Sequence, residues 1–165
     1  MVTIRPAQPD DFDAIAALTN IYINGTAVHF AYAPVTAAEL RQQWEASRER
    51  FPFLVAEVDG AFAGYAKAGV WRTREAYNWT PEVGIYIEPS AQGKGVGREL
   101  YALLLKRLRS AGFRSAIGGI TLPNPASIRL HQSLGFVHVG TVRQAGFKND
   151  AWHDVAFYQK MLTDG

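Results

Sequence analysis

Cysteine is absent from the 165 residues. That excludes disulfides, zinc ribbons and a cysteine nucleophile together. No apolar run approaches the roughly 18 residues a membrane span needs. The opening stretch, MVTIRPAQPDDFD, lacks the basic-then-apolar build of a secretory signal, so a cytoplasmic location is expected. Charge of one sign is not in excess: 17 basic residues stand against 15 acidic ones, a net charge of +2. Such balance is no nucleic-acid footprint, although a slight basic bias suits a small anionic ligand. His29, His138 and His153 have no metal-ligand spacing and no paired carboxylate nearby, so no metal is expected. Repeats, low-complexity tracts and linkers are missing too.

What is there is an ordinary globular composition, 48% hydrophobic and 19% charged, which excludes intrinsic disorder. A chain of this length makes one domain and buries roughly 70% of its unfolded surface without staples. Residues 2–5 form a short strand ended by Pro6. Asp10 and Asp11 offer N-caps for a helix through about Tyr22, with Ile15, Leu18 and Tyr22 on one stripe. Thr36-Ala-Ala-Glu39 is a capping box before Leu40, Trp44 and Phe51 at helical spacing. Strands at 53–58 and 61–70 flank Asp59-Gly60, a strong hairpin signal. Another strand runs from Glu82 to Ile87 and ends before Pro89. A helix from Gly97 to Ser110, a strand over 115–121 and a short helix capped by Asn124 with Pro125 at its first position follow. Strands near 136–143 and 154–162 close the chain. This order predicts an α+β domain around one mostly antiparallel sheet. Trp44, Trp79 and Trp152 are expected as core or rim aromatics rather than cofactor contacts.

The sharpest local signal is Ser90-Ala-Gln92-Gly93-Lys94-Gly95-Val96-Gly97-Arg98, between a strand and a helix. Glycines let backbone approach a ligand, and the uncapped amides of the next helix face it with the positive end of the dipole. The pattern is a cradle for a diphosphate. It is not a Walker loop, because Gly95 follows Lys94 where a magnesium-binding hydroxyl is needed. Nor is it a dinucleotide fingerprint, because Arg98 stands where the third glycine belongs.

Gln92, Gly95 and Gly97, after Ile85-Tyr86-Ile87, resemble the acetyl-CoA motif of the GNAT N-acetyltransferases. The stretch Asn124-Pro-Ala-Ser-Ile-Arg-Leu-His-Gln-Ser-Leu-Gly-Phe136 is similar to that family's downstream segment. Trp71 to Arg74, Ala76 to Thr80, Glu82, Leu122 to Asn124, Ala145 to Lys148 and Trp152 to Val155 look like the phosphinothricin acetyltransferases. The resemblance covers nearly the whole chain. It implies a single GNAT-like domain, acetyl-CoA as co-substrate, a small amine substrate and a homodimer.

Acetyl transfer from a thioester to an amine asks for three things. The amine must lose a proton, the carbonyl oxygen must be held as it becomes negative, and the leaving thiolate must be protonated. Without cysteine no acetyl-cysteine can form, so direct attack within a ternary complex is expected. Glu82, between Pro81 and Val83, is the expected general base; partly apolar surroundings should raise its pKa. The resemblance puts the family's catalytic glutamate there. It also puts His131 where many members carry the tyrosine that protonates coenzyme A, and a histidine near its reference pKa could donate a proton at neutral pH.

By the same resemblance, the backbone of Ile85, Tyr86 and Ile87 pairs with the pantetheine arm. Gln92, Gly93, Lys94, Gly95, Val96, Gly97 and Arg98 hold the diphosphate, and Asn124 and Ser133 touch the cofactor. Phe30, Arg72, Thr73, Arg74, Tyr77 and Glu82 meet the amine. Arg72 and Arg74 would face the same way if extended, and arginine suits carboxylate or phosphinate oxygens. An amino acid carrying a second acidic or tetrahedral group, such as phosphinothricin or methionine sulfoximine, matches. The alternatives are another amine on the same fold, such as a protein N-terminus or a polyamine, and an acyl-CoA sensor without turnover. Three departures from the resemblance bear on the substrate: Pro81 removes one ladder amide and could shift Glu82, His29-Phe30 replaces a small residue, and Asn149-Asp150 replaces a small turn.

Overall fold

A computed structural model describes residues 1–163. It contains seven strands, β1 (Val2–Pro6), β2 (Phe53–Val58), β3 (Ala61–Gly69), β4 (Glu82–Ile87), β5 (Ser115–Thr121), β6 (Val137–Lys148) and β7 (Ala151–Met161). Four helices accompany them: α1 (Phe12–Gly25), α2 (Ala37–Ser47), α3 (Val96–Ser110) and α4 (Pro125–Ser133). The strands form one sheet in the order β1-β2-β3-β4-β5-β7-β6. Every neighbouring pair is antiparallel except β4 and β5. The predicted α+β class and mostly antiparallel sheet are therefore present.

The two faces are covered by different helices. On one, Phe12, Ile15 and Leu18 of α1 and Trp44 of α2 pack with Val55 and Tyr65. On the other, Leu100, Leu104 and Leu108 of α3 pack with Leu54, Ala66 and Val83. Each fully buried leucine contributes about 1.5–3 kcal/mol, so these stripes fix which way the helices face.

Local details differ from expectation where side chains find better partners. Thr36 and Glu39 do form the capping box. Asp11 occupies the N-cap of α1 but makes no side-chain cap bond. Its carboxylate instead receives Arg5 Nη2 at 2.7 Å and the Gln8 amide at 2.7 Å. A charged fork is a stronger donor than a neutral helix amide. The last two strands are longer than predicted, because Asn149 and Asp150 adopt φ of +54° and +58° and close a tight hairpin. The 149–150 departure is thus a turn built from residue types that tolerate left-handed backbone.

Candidate active site

The parallel pair β4–β5 is joined at one register position among the described residues, Glu82 opposite Ile117. Ile117 N donates to Pro81 O at 3.0 Å, so Pro81 still serves the sheet through its carbonyl. Beyond this point the strands part. A cleft of about 70 Å³ opens between them, floored by Val83 to Tyr86 and Gly119 to Thr121 and walled by Tyr101, Asn124, Ser127 and His131. Parting strands leave backbone N–H and C=O groups without a ladder partner, which is how an extended amide ligand is received.

At the far end of β4 the chain enters the glycine turn. Gly93 and Gly95 have φ of +76° and +80°, and a Cβ on either would meet nothing within 4 Å. Gly95 is the N-cap of α3 and gives no side-chain cap. The first helical bond runs from Glu99 N to Gly95 O, so the amides of Val96, Gly97 and Arg98 lie ahead of it. Open space, uncapped amides and the helix dipole together fit a diphosphate. Gln92 also braces the fold. Its amide donates to Tyr22 Oη at 2.8 Å, and Tyr22 donates to Ile87 O at 2.7 Å. Tyr22, read from the sequence as a core residue, thus ties α1 to the end of β4. Arg98 reaches Ser133 O at 3.4 Å, bringing those two residues together, while Asn124 Oδ1 accepts from Ser127 N and caps α4.

Glu82 stands at the lip of the cleft. The residue keeps contact with solvent, yet the protein crowded around its carboxyl raises its pKa above the ordinary value, against the pull of Lys67 and Arg72. Its surroundings are therefore less apolar than expected, with two cations close by. His131 is buried, and burial lowers its pKa rather than leaving it near the reference value. Nδ1 lies 2.7 Å from Ser127 O, which can only accept, so Nδ1 carries the proton. Nε2, 3.1 Å from Tyr101 Oη, then accepts from that hydroxyl. Gly118 makes the room: a Cβ there would sit 2.8 Å from His131 Nε2.

Arg72, Thr73, Arg74 and Tyr77 lie exposed on the β3–β4 connection. Arg72 covers the Trp71 ring at 5.1 Å, and Tyr77 meets Trp71 edge-on at 5.6 Å. Phe30 is held elsewhere, against Gly146 and 6.4 Å from His153. Its loop is pinned by Lys148 Nζ, which donates to Ile23 O and His29 O at 2.6 Å each. Trp44 belongs to the core, whereas Trp79 and Trp152 are exposed rim residues. Among the residues lining or facing the site that the sequence did not single out are Tyr101, Ser127, Gly119 and Lys67. Tyr101 and Ser127 carry no local signal; Lys67 is a lone lysine in the apolar run Ala61 to Val70, the one signal available.

Residues 4–157 match the model of the acetyltransferase (GNAT) domain. The chain belongs to the GNAT acetyltransferases. It is 44% identical over 159 residues to the phosphinothricin N-acetyltransferase of Streptomyces viridochromogenes, covering 96% of this chain and 87% of that one. It is 36% identical to the L-methionine sulfoximine/L-methionine sulfone acetyltransferase of Salmonella typhimurium, covering 99% and 96%. The solved Sinorhizobium meliloti phosphinothricin acetyltransferase in complex with acetyl-CoA superposes with a TM-score of 0.95 at 34% identity, covering 99% and 90%. This GNAT chain is accordingly an N-acetyltransferase, with acetyl-CoA as the acetyl donor. No helix among the described residues is long and apolar enough to cross a membrane, and none of their His, Cys, Asp and Glu side chains group in threes to hold a metal.

Proposed function

We propose that this GNAT enzyme acetylates the amino group of a small amino-acid-like substrate of the phosphinothricin or methionine sulfoximine/sulfone type. One observation carries the reading: β4 has the Glu82 carboxylate at one end and the uncapped glycine turn at the other, with the cleft between. When bound, acetyl-CoA supplies an activated acetyl thioester. Glu82 takes the proton from the attacking amine, and its raised pKa suits a base working near neutrality. Attack is direct, since the chain has no cysteine to carry the acetyl group. An amide of Ile85 to Ile87 polarises the thioester carbonyl. The Tyr101–His131 pair lines the cleft where the thiolate departs, and Tyr101 Oη, which donates to His131 Nε2, is the proton-bearing group of the pair that can neutralise it.

Gln92 to Arg98, Asn124 and Ser133 hold the cofactor, and Arg72, Thr73, Arg74 and Tyr77 meet the amine, while Phe30, packed against Gly146, stands apart from them. Lys67 and Arg72 beside Glu82 repel polycationic amines, which disfavours polyamines. The enzyme works as a homodimer, for which exposed Val137, Val139 and Val142 on edge strand β6 offer a surface. The cytoplasm is its compartment, because the acetyl donor is an intracellular metabolite. A thiol-release screen with acetyl-CoA over L-amino acids, sulfones, sulfoximines and phosphinates tests the reading. Release confined to the last three groups is expected; coenzyme binding without release on any amine would make the chain a sensor instead.

A further inference from the structure

Lys67 lies in mid-strand, where alternation puts it on the same side as Tyr65 and Gly69. Tyr65 bonds Thr19 of α1 at 2.6 Å, so this is the α1 side of the sheet. The ladder sets Gly84 opposite Lys67 and Glu82 opposite Gly69. The four positions make a square, with Lys67 and Glu82 on one diagonal and glycines on the other. A Cβ on Gly69 or Gly84 would meet nothing within 4 Å, so the floor between cation and carboxylate is open. Diagonal neighbours on a sheet face stand about 7–8 Å apart, enough for a small zwitterionic head.

The Lys67 ammonium makes no hydrogen bond or ion pair with any described residue, Glu82 included. It is half-buried, and loss of solvent lowers its pKa. A partly desolvated cation without a partner is costly unless an anion completes it. Glu82 is an anion whose charge reaches Lys67 without bonding it, and the other neighbours leave room for an incoming anion. Arg72 adds a second positive charge near Glu82, and His29 is kept neutral by burial and by the charges of Lys148 and Lys67.

We propose that Lys67 binds the α-carboxylate of the substrate and so sets the α-amino group beside Glu82. In an α-amino acid the nitrogen and the carboxylate carbon share one carbon, a spacing that lets a single head touch both corners. Arg72 and Arg74 are then left for the sulfone, sulfoximine or phosphinate of the side chain. The proposal rests on the reading that the amine enters on the Glu82 side.

The test compares L-methionine sulfone with its decarboxylated counterpart, 3-(methylsulfonyl)propan-1-amine. A charged hydrogen bond is worth roughly 10–100-fold, so the wild type should prefer the sulfone by about that ratio in kcat/KM. Lys67→Met should abolish the preference and Lys67→Arg should restore most of it. An unchanged ratio in Lys67→Met would overturn the assignment. Should that variant fail to fold, calorimetry on the wild type with coenzyme A present decides: equal affinity for the two amines overturns the assignment, and tighter binding of the sulfone supports it. If neither amine is acetylated, the acetyl-transfer reading falls, while the binding comparison still judges Lys67.

Discussion

Glu82 and His131 stand on opposite faces of the sheet where β4 and β5 part. Glu82 pairs with Ile117, so its side chain shares the Ile117 face. The next residue, Gly118, turns to the other face, where His131 Nε2 lies against it. In the proposed mechanism the amine is deprotonated on the Glu82 side and the thiolate is met on the His131 side, with the opening between β4 and β5 joining them.

His131 makes stability depend on pH in a defined window. Its folded pKa is below the ordinary 6.5 because of burial. Above pH 6.5 neither state is charged and nothing is lost. As pH falls below 6.5 the unfolded chain takes up a proton that the folded chain resists, so stability declines toward the folded pKa. Urea melts between pH 7.5 and 5.5 should show this decline, and His131→Gln should flatten it. An identical slope in the variant would contradict the burial-driven shift.

Gly118→Ala should be destabilising although it adds a single methyl. The new Cβ would lie 2.8 Å from His131 Nε2, and the imidazole is fixed by Tyr101 and Ser127. Overpacking of this kind costs about 1–3 kcal/mol. A melt within about 0.5 kcal/mol of wild type would show that His131 can move aside.

Gly95→Ala should weaken acetyl-CoA binding. The residue has φ of +80°, and a non-glycine residue there costs about 1–2 kcal/mol, or roughly tenfold in affinity if the turn relaxes away from the ligand. Calorimetric titration reads this directly. Loss of fold stability with unchanged affinity would place the diphosphate elsewhere.

Arg72→Ala should act twice. It should raise KM for the amine more than for acetyl-CoA. It should also move the acid limb of the pH–rate profile to higher pH, because Arg72 pulls the Glu82 pKa down and its removal leaves burial less opposed. Equal KM changes and a fixed limb would remove Arg72 from the amine side.

The elements flanking the site were legible because their signals are local. Glycines with positive φ, an asparagine cap followed by proline, and the Asp59-Gly60 hairpin each need only a few residues. The Tyr22–Gln92–Ile87 chain was not legible, since its members come from three elements that meet only after folding. Lys67 was visible but mute: its meaning depends on the register that brings Gly84 and Glu82 alongside. His131 was found by its place in a motif, yet its lowered pKa depends on Tyr101, Phe136 and Gly118 closing around it. The Asn149-Asp150 turn was seen as a departure and is the residue pair that lets β6 and β7 run to full length.

The most direct measurement is steady-state thiol release by wild type and Glu82→Gln with acetyl-CoA and L-phosphinothricin or L-methionine sulfone, from about pH 5 to 9. The wild-type rate should fall on the acid side at a pH above the ordinary glutamate value of 4.5, as the raised carboxyl pKa requires. The variant should turn over roughly 10²–10⁴ times more slowly and lose that acid limb, with coenzyme affinity kept. Near-normal turnover by Glu82→Gln across the range would contradict its assignment as the base.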